Sequence, residues 1–140
     1  MKSMNTRKDR YEAITKFIPI FEADGFTPGT WTEPVTRDGY VSIPFFEQSE
    51  AVSTFVQACY EHEWVLRDFP WPEWAQGPEA HALRDDPGTL ARATERQLGQ
   101  LLTVLIRQDR FVDGALDDAF RSGIILQILK RVQALGRTDA

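Results

Sequence analysis

The sequence predicts a mainly α, compact single-domain bundle of about five helices with one small β-hairpin near Asp38-Gly39. Four stretches carry apolar residues at helical spacing, at residues 14–21, 52–59, 98–105 and 124–135. The pair Asp38-Gly39 favours a type I′ turn, which needs positive φ at both positions. With 140 residues, the chain is long enough to bury one core. We therefore expect one helical domain over residues 9–136, between a flexible basic tail (1–8) and a short C-terminal tail (137–140).

The first predicted helix begins at Asp9, which can form a capping box with Glu12. Pro19 lies inside the helical pattern and lacks the N–H that a helix needs, so we expect a kink or a tightened last turn there. Gly25 is expected to end the helix. The apolar face of this helix consists of Ile14, Phe17, Ile18 and Phe21.

The hairpin region has two arms, each with residues at the alternating spacing that is typical of a strand. One arm carries Trp31, Glu33 and Val35, and the other carries Val41, Ile43 and Phe45. Pro34 and Pro44 confine both arms to the edges of a sheet, because proline cannot donate a ladder hydrogen bond. The sequence therefore predicts a small ribbon packed on helices.

The second predicted helix runs from Ser49, a good N-cap, to about Glu63. Its apolar face includes Cys59, and His62 follows three positions later. Such a pair could form a thiolate and its base. We favour the alternative, in which Cys59 is a small buried apolar residue and His62 lies at the surface.

The stretch "WVLRDFPWPEWAQGP" contains three of the four tryptophans. Interleaved aromatic residues and prolines can form a peptide-binding groove, and Trp71, Trp74 and Glu73 are then the partner-binding candidates. We favour a lid on the core, in which each indole N–H bonds a backbone carbonyl. The lid interpretation predicts that Trp64 is buried and that Trp71 or Trp74 packs on the helical core.

The second half of the chain has clear helix boundaries. Asp86-Pro87 predicts the start of a short helix, and Thr94 with Gln97 predicts a capping box for a new helix to about Arg107. One continuous helix from Pro87 is the alternative. A short helix over residues 114–120 and a final helix over residues 122–136 complete the prediction.

Charge and composition argue against several classes of function. Residues 11–79 carry twelve acidic residues and three basic ones, so the chain lacks the basic stripe of a duplex DNA binder. The acidic half permits a basic partner, although a solvated surface is the favoured interpretation. No run of residues is apolar enough for a membrane span or a signal peptide, and Cys59 is the single cysteine, so we expect a cytoplasmic protein. Two isolated histidines give no zinc pattern, and we expect no cofactor.

Three stretches resemble a widespread bacterial family of small proteins classed as a domain of unknown function. These are "FIPIFE", "IPFFEQSEAVSTFVQACYE" and "LLTVLIRQDRFVDGALDDAFRSGIILQILKRV". The family's Arg-x-Asp/Glu-Arg-Phe motif, followed by an acid, a glycine and an Ile/Leu-rich helix, corresponds to Arg107, Asp109, Arg110, Phe111, Asp113, Gly114 and the run from Ile124. The resemblance covers nearly the whole chain and implies no activity.

The charged motif "RQDRFVDG" has two interpretations. Arg107, Asp109, Arg110 and Asp113 could form an anion pocket in which a carboxylate acts as a base. We favour a structural joint between two helices, with Asp113 capping the second helix. The joint predicts that Arg107 or Arg110 bonds a carboxylate or helix-end carbonyls, and that Phe111 is buried.

The function class that we favour is a non-enzymatic interaction module of the accessory or inhibitor type. It would bind a protein partner through its acidic, aromatic N-terminal half. The alternative is a small enzyme or anionic-ligand binder that uses the Arg107–Asp113 cluster, and the weaker alternative is a mimic of nucleic acid.

Overall fold

The computed structural model describes residues 7–34, 36–112 and 114–138, and this part of the chain is mainly α. The helical segments are α1 (Arg7–Thr15), α2 (Ile18–Glu22), α3 (Glu50–Glu61), α4 (Trp71–Ala75), α5 (Pro78–Asp85), α6 (Pro87–Ala91), α7 (Glu95–Gln108), α8 (Ala115–Arg121) and α9 (Ile124–Thr138). The strands are β1 (Gly29–Trp31), β2 (Thr36–Arg37), β3 (Tyr40–Val41) and β4 (Phe46–Gln48). The predicted fold class is confirmed, although short helices raise the number of segments above the predicted five. None of the helices in the described ranges is long and apolar enough to cross a membrane.

The predicted first helix is two helices. Asp9 lies inside α1, which already includes Arg7, so Asp9 is not the N-cap that the sequence predicted. The helix α1 ends at Thr15, and Pro19 lies in the first turn of α2. A backbone N–H has no helical partner at that position, so proline removes no hydrogen bond there. The segment α2 ends at Glu22, before the predicted Gly25. All four predicted apolar positions are buried, at Ile14, Phe17, Ile18 and Phe21.

The predicted hairpin is confirmed at Asp38-Gly39. Both residues have positive φ, at 52° and 83°, and they join β2 to β3. Below this turn, β1 pairs with β4 in an antiparallel register that sets Trp31 opposite Phe46. Val35 of the first arm lies outside the described residues. The ribbon packs on the helices at its base, where Phe46 is buried.

Side chains set the starts of three later helices as the sequence predicted. The hydroxyl of Ser49 accepts a hydrogen bond from Val52 N and caps α3. Asp86 caps α6, and Thr94 with Gln97 forms a reciprocal capping box at α7. Residues 87–107 therefore form two helices, not one. The sequence did not predict α4 or α5, and it placed the ends of α3 and α9 slightly differently from the structure.

The core is built around α7, which packs against α4, α8 and α9. Nine consecutive α7 residues, 98–106, are buried. Among them is Thr103, whose hydroxyl oxygen accepts a hydrogen bond from Leu66 N and donates one to Gly99 O. Trp64 fills the space beside α1, with its indole N–H donating to Arg10 O at 2.9 Å. The predicted burial of Trp64 is confirmed.

Candidate functional site

Asp109 connects three elements at the α7–α8 joint. Its Oδ1 accepts a hydrogen bond from Leu116 N at 3.0 Å, and its Oδ2 accepts one from Gln48 Nε2 at 3.3 Å. Asp109 thus caps the first turn of α8 and ties it to β4. The sequence had assigned the capping role to Asp113, which lies outside the described residues.

The two arginines of the motif differ from the expectation for a joint. Arg107 has a buried Nε with no hydrogen-bond partner in the described part of the chain. Arg110 is exposed, and its guanidinium lies 6.0 Å from the ring centroid of Tyr60. Within the described ranges, neither arginine donates a hydrogen bond to a carboxylate or to a helix-end carbonyl. The geometry brings Arg107, Asp109 and Arg110 into one turn but assigns the hydrogen bonds to Asp109.

The predicted burial of Phe111 is wrong, because 77% of the residue is exposed. The chain turns tightly after α7, with the N–H groups of Phe111 and Val112 both directed at Gln108 O. This turn leaves both side chains on its outer side. Leu116 of α8 occupies the buried position beneath the joint instead.

Gly114 brings the α7–α8 loop into contact with the ribbon. Its φ is +88°, in the left-handed region that favours glycine. A Cβ at this position would lie 2.7 Å from Cζ2 of Trp31, so only glycine lets the indole ring approach this closely. The Trp31 ring also contacts Phe46, at 5.5 Å between centroids. The base of the ribbon and the loop therefore form one continuous surface.

The three tryptophan-segment candidates have different surroundings. Trp74 is half-buried against the core, which confirms the predicted lid, and its Nε1 donates to Glu79 Oε1 at 2.9 Å where a backbone carbonyl was expected. Hydrogen bonds from Gln97 and Trp74 lower the pKa of Glu79 below its ordinary value. Trp71 lies 6.1 Å from the ring of Phe111, and Glu73 is exposed. Only Trp71 borders the exposed loop.

The exposed apolar side chains of the ribbon and the loop form what we call the ribbon–loop surface. It consists of Trp31, Tyr40, Val41, Ile43, Phe45, Phe111 and Val112. Ile20 is the one exposed large apolar residue in the described chain that lies outside it. Sequence reasoning missed this surface because it assigned the apolar residues of the arms to a packed ribbon. Phe45 and Phe46 gave a signal, since consecutive strand residues point to opposite faces and only one face can pack on the helices.

The thiolate interpretation of Cys59 finds no support. The side chain is fully buried, and desolvation raises the pKa of the thiol far above its ordinary value. A protonated, buried thiol is a poor nucleophile. His62 ends α3 as its C-cap. Within the described ranges, no group of three or more His, Cys, Asp or Glu side chains could hold a metal ion.

Comparison with known proteins gives a family and no activity. A family model described as a family of unknown function (DUF6508) matches residues 6–138, which is nearly the whole chain. No curated protein and no solved structure matches the sequence. The resemblance to a family of unknown function is thereby confirmed.

Proposed function

We propose that this chain, which belongs to the family of unknown function DUF6508, is a non-enzymatic interaction module that binds a protein partner. The observation that carries the proposal is the ribbon–loop surface, in which seven exposed apolar side chains lie on two segments that the Trp31–Gly114 contact joins. The contact face therefore lies on the ribbon and on the α7–α8 loop. Of the residues expected from the tryptophan segment, Trp71 borders this face, through Phe111.

Exposed apolar residues are common on proteins when they are scattered singly, but a grouped patch is typical of interaction sites. Seven of the eight exposed large apolar residues of the described chain lie on the ribbon and the adjoining loop, and four of them are aromatic, namely Trp31, Tyr40, Phe45 and Phe111. Aromatic residues are enriched in the buried centres of protein interfaces. Each sheet of the ribbon has two strands in the described part of the chain, and the outer edge of such a sheet can pair with another chain.

Charge indicates the chemistry of the partner. The ribbon carries exposed Glu33, Asp38 and Glu47 against Arg37, and exposed Arg110 lies on the loop. An apolar surface whose ribbon side is acidic matches a partner surface that has an apolar centre and basic residues opposite the ribbon. We expect association to slow as salt is added, because screening weakens steering between exposed charges.

The test compares three forms of the protein as bait in lysate of the native host, with quantitative mass spectrometry of the captured proteins. The parent and a control variant, Ile20→Ser, should retain the same partner. The double variant Ile43→Ser/Phe111→Ser should lose it, because two central apolar contacts are removed. Capture of the same proteins by all three forms, or of no protein by any, would contradict the proposal.

Anion binding at Arg107 and Arg110 is the second candidate function. The buried Nε of Arg107 and the buried Oη of Tyr60 lack hydrogen-bond partners among the described residues, and an anionic oxygen could accept from such donors. Inorganic phosphate should then raise the melting temperature of the parent protein and leave the melting temperature of the Arg107→Gln variant unchanged. An equal response of both proteins would argue against this site.

We also propose that the protein acts in the bacterial cytoplasm. Cys59 is the single cysteine of this sequence, so the chain cannot form an internal disulfide. This composition suits a compartment in which thiols are kept reduced. Fractionation of host cells with an antibody against the chain tests the location, and recovery in the periplasm or medium would overturn it.

A further inference from the structure

A second candidate site lies away from the ribbon–loop surface, in a cleft between α2, the segment before β1 and the α8–α9 junction. The cleft has a volume of about 400 Å³. We call it the aromatic cleft, and its lining residues are Phe21, Phe26, Pro28, Phe120, Arg121, Gly123 and Leu126. None of these residues belongs to the ribbon–loop surface.

The walls of the aromatic cleft are continuous with the core. The ring of Phe21 is buried and lies 5.0 Å from that of Phe26 and 4.9 Å from that of Phe120. Phe26 and Phe120 are half-buried, so part of each ring faces the cleft. A ligand that enters would contact aromatic surface that is already held in place by core packing, which lowers the cost of ordering the site.

One cation with a fixed orientation lies at the edge of the cleft. Arg121 Nε donates to both carboxylate oxygens of Asp117, each at 2.9 Å. Asp117 is buried, whereas the Arg121 side chain is 58% exposed. The buried carboxylate thus holds the guanidinium through Nε. Within the described ranges the Nη groups make no hydrogen bond, and they can donate to a ligand.

We propose that the aromatic cleft binds a small monocarboxylate that carries one aromatic ring. The carboxylate accepts hydrogen bonds from the Nη groups of Arg121, which form the fork geometry that matches two oxygens. The ring packs on Phe26, Phe120 and Leu126. The Nη groups of Arg121 are donors and offer no acceptor to an ammonium group, which is itself a donor, so an amine of the same shape gains no hydrogen bond there.

The test uses 3-phenylpropanoate as the probe and 3-phenylpropylamine as its charge-reversed control, in an NMR titration of the full chain. The amide signals of Gly123 and Leu126 are the reporters, since both residues line the cleft. We expect the carboxylate to shift these signals in a saturable manner and the amine to leave them unchanged. If 3-phenylpropanoate at up to about 10 mM causes no saturable shift, its affinity is weaker than millimolar, and the proposal is overturned. Equal binding of the amine would overturn it as well.

Variants then separate the role of Arg121 from folding. Arg121→Gln should weaken binding of 3-phenylpropanoate by about tenfold or more. The double variant Asp117→Asn/Arg121→Gln should weaken it equally and avoids leaving a buried carboxylate without its partner. Arg137→Gln, at an exposed arginine that does not line the cleft, is the matched control and should bind as the parent does. Parent-like affinity in both Arg121 variants would overturn the assignment.

Discussion

The apolar residues at the centre of α7 and those of the outer part of the ribbon lie in opposite environments. Residues 98–106 of α7 are all buried, whereas residues 36–45 of the ribbon are all exposed. The α7 segment is covered by helices on several sides. In the described part of the chain each sheet of the ribbon has two strands, and residues 36–45 remain exposed. The apolar character of a residue therefore did not determine its burial, and the number of neighbouring elements did.

This difference divides the apolar residues into two energetic classes. A buried residue of the core gains transfer free energy and close packing on folding. A residue of the ribbon tip remains in water after folding and gains this energy only when a partner covers it. Substitutions in the core should lower stability, whereas substitutions in the ribbon–loop surface should lower binding.

The largest loss of stability is expected for Trp64→Ala. The ring is fully buried, its N–H donates to Arg10 O, and the Arg10 guanidinium lies 4.0 Å from the ring. Removal should lower the free energy of unfolding by about 3–5 kcal/mol, as for other large-to-small core changes. Urea unfolding followed by far-UV circular dichroism measures it. Trp71→Ala is the matched control, and an equal loss in both variants would contradict the division into two classes.

A smaller loss is expected for Thr103→Val. The substitution keeps the shape of the side chain but removes the hydroxyl that accepts from Leu66 N at 2.8 Å. A buried N–H without a partner costs about 1–3 kcal/mol. Thr103→Ser keeps the hydroxyl and is the matched control, so chemical denaturation should rank Val below Ser. The reverse order would show that the methyl group matters more than the hydrogen bond.

Asp109→Ala should cost about 1–2 kcal/mol, the range for loss of a helix cap. Its carboxylate holds Leu116 N and Gln48 Nε2, so both α8 and the base of the ribbon lose a contact. Arg110→Ala should change the free energy of unfolding by less than about 0.5 kcal/mol, because the side chain is exposed. Thermal unfolding of the two variants decides which residue holds the joint. A larger effect at Arg110 would restore the interpretation that the sequence favoured.

Local signals in the sequence predicted the helices and the turn. Ser49, Thr94 with Gln97, and Asp38-Gly39 each act within a few residues, and each was found in its predicted role. The surface could not be predicted in this way, because it depends on contacts between distant segments. The approach of Trp31 to Gly114 and the outward direction of Phe111 follow from how the ribbon and the joint meet. Asp109 was read as part of a cluster, since its bond to Gln48 is not visible in the local sequence.

The smallest change in stability is expected for Ile43→Ser/Phe111→Ser. Both residues are largely exposed, at 83% and 77%, so folding removes little of their apolar area from water. We expect the free energy of unfolding of the double variant to stay within about 0.5 kcal/mol of that of the parent, the usual range for surface substitutions. Urea unfolding measures this change, and capture of the partner measures binding on the same samples.

A loss of binding with unchanged stability would separate the ribbon–loop surface from the core. A loss of more than about 1 kcal/mol in the double variant, which is the size of a packing effect, would instead mean that the two side chains support the fold. Loss of the partner could then be a consequence of unfolding, and the proposed interaction surface would lose its main support.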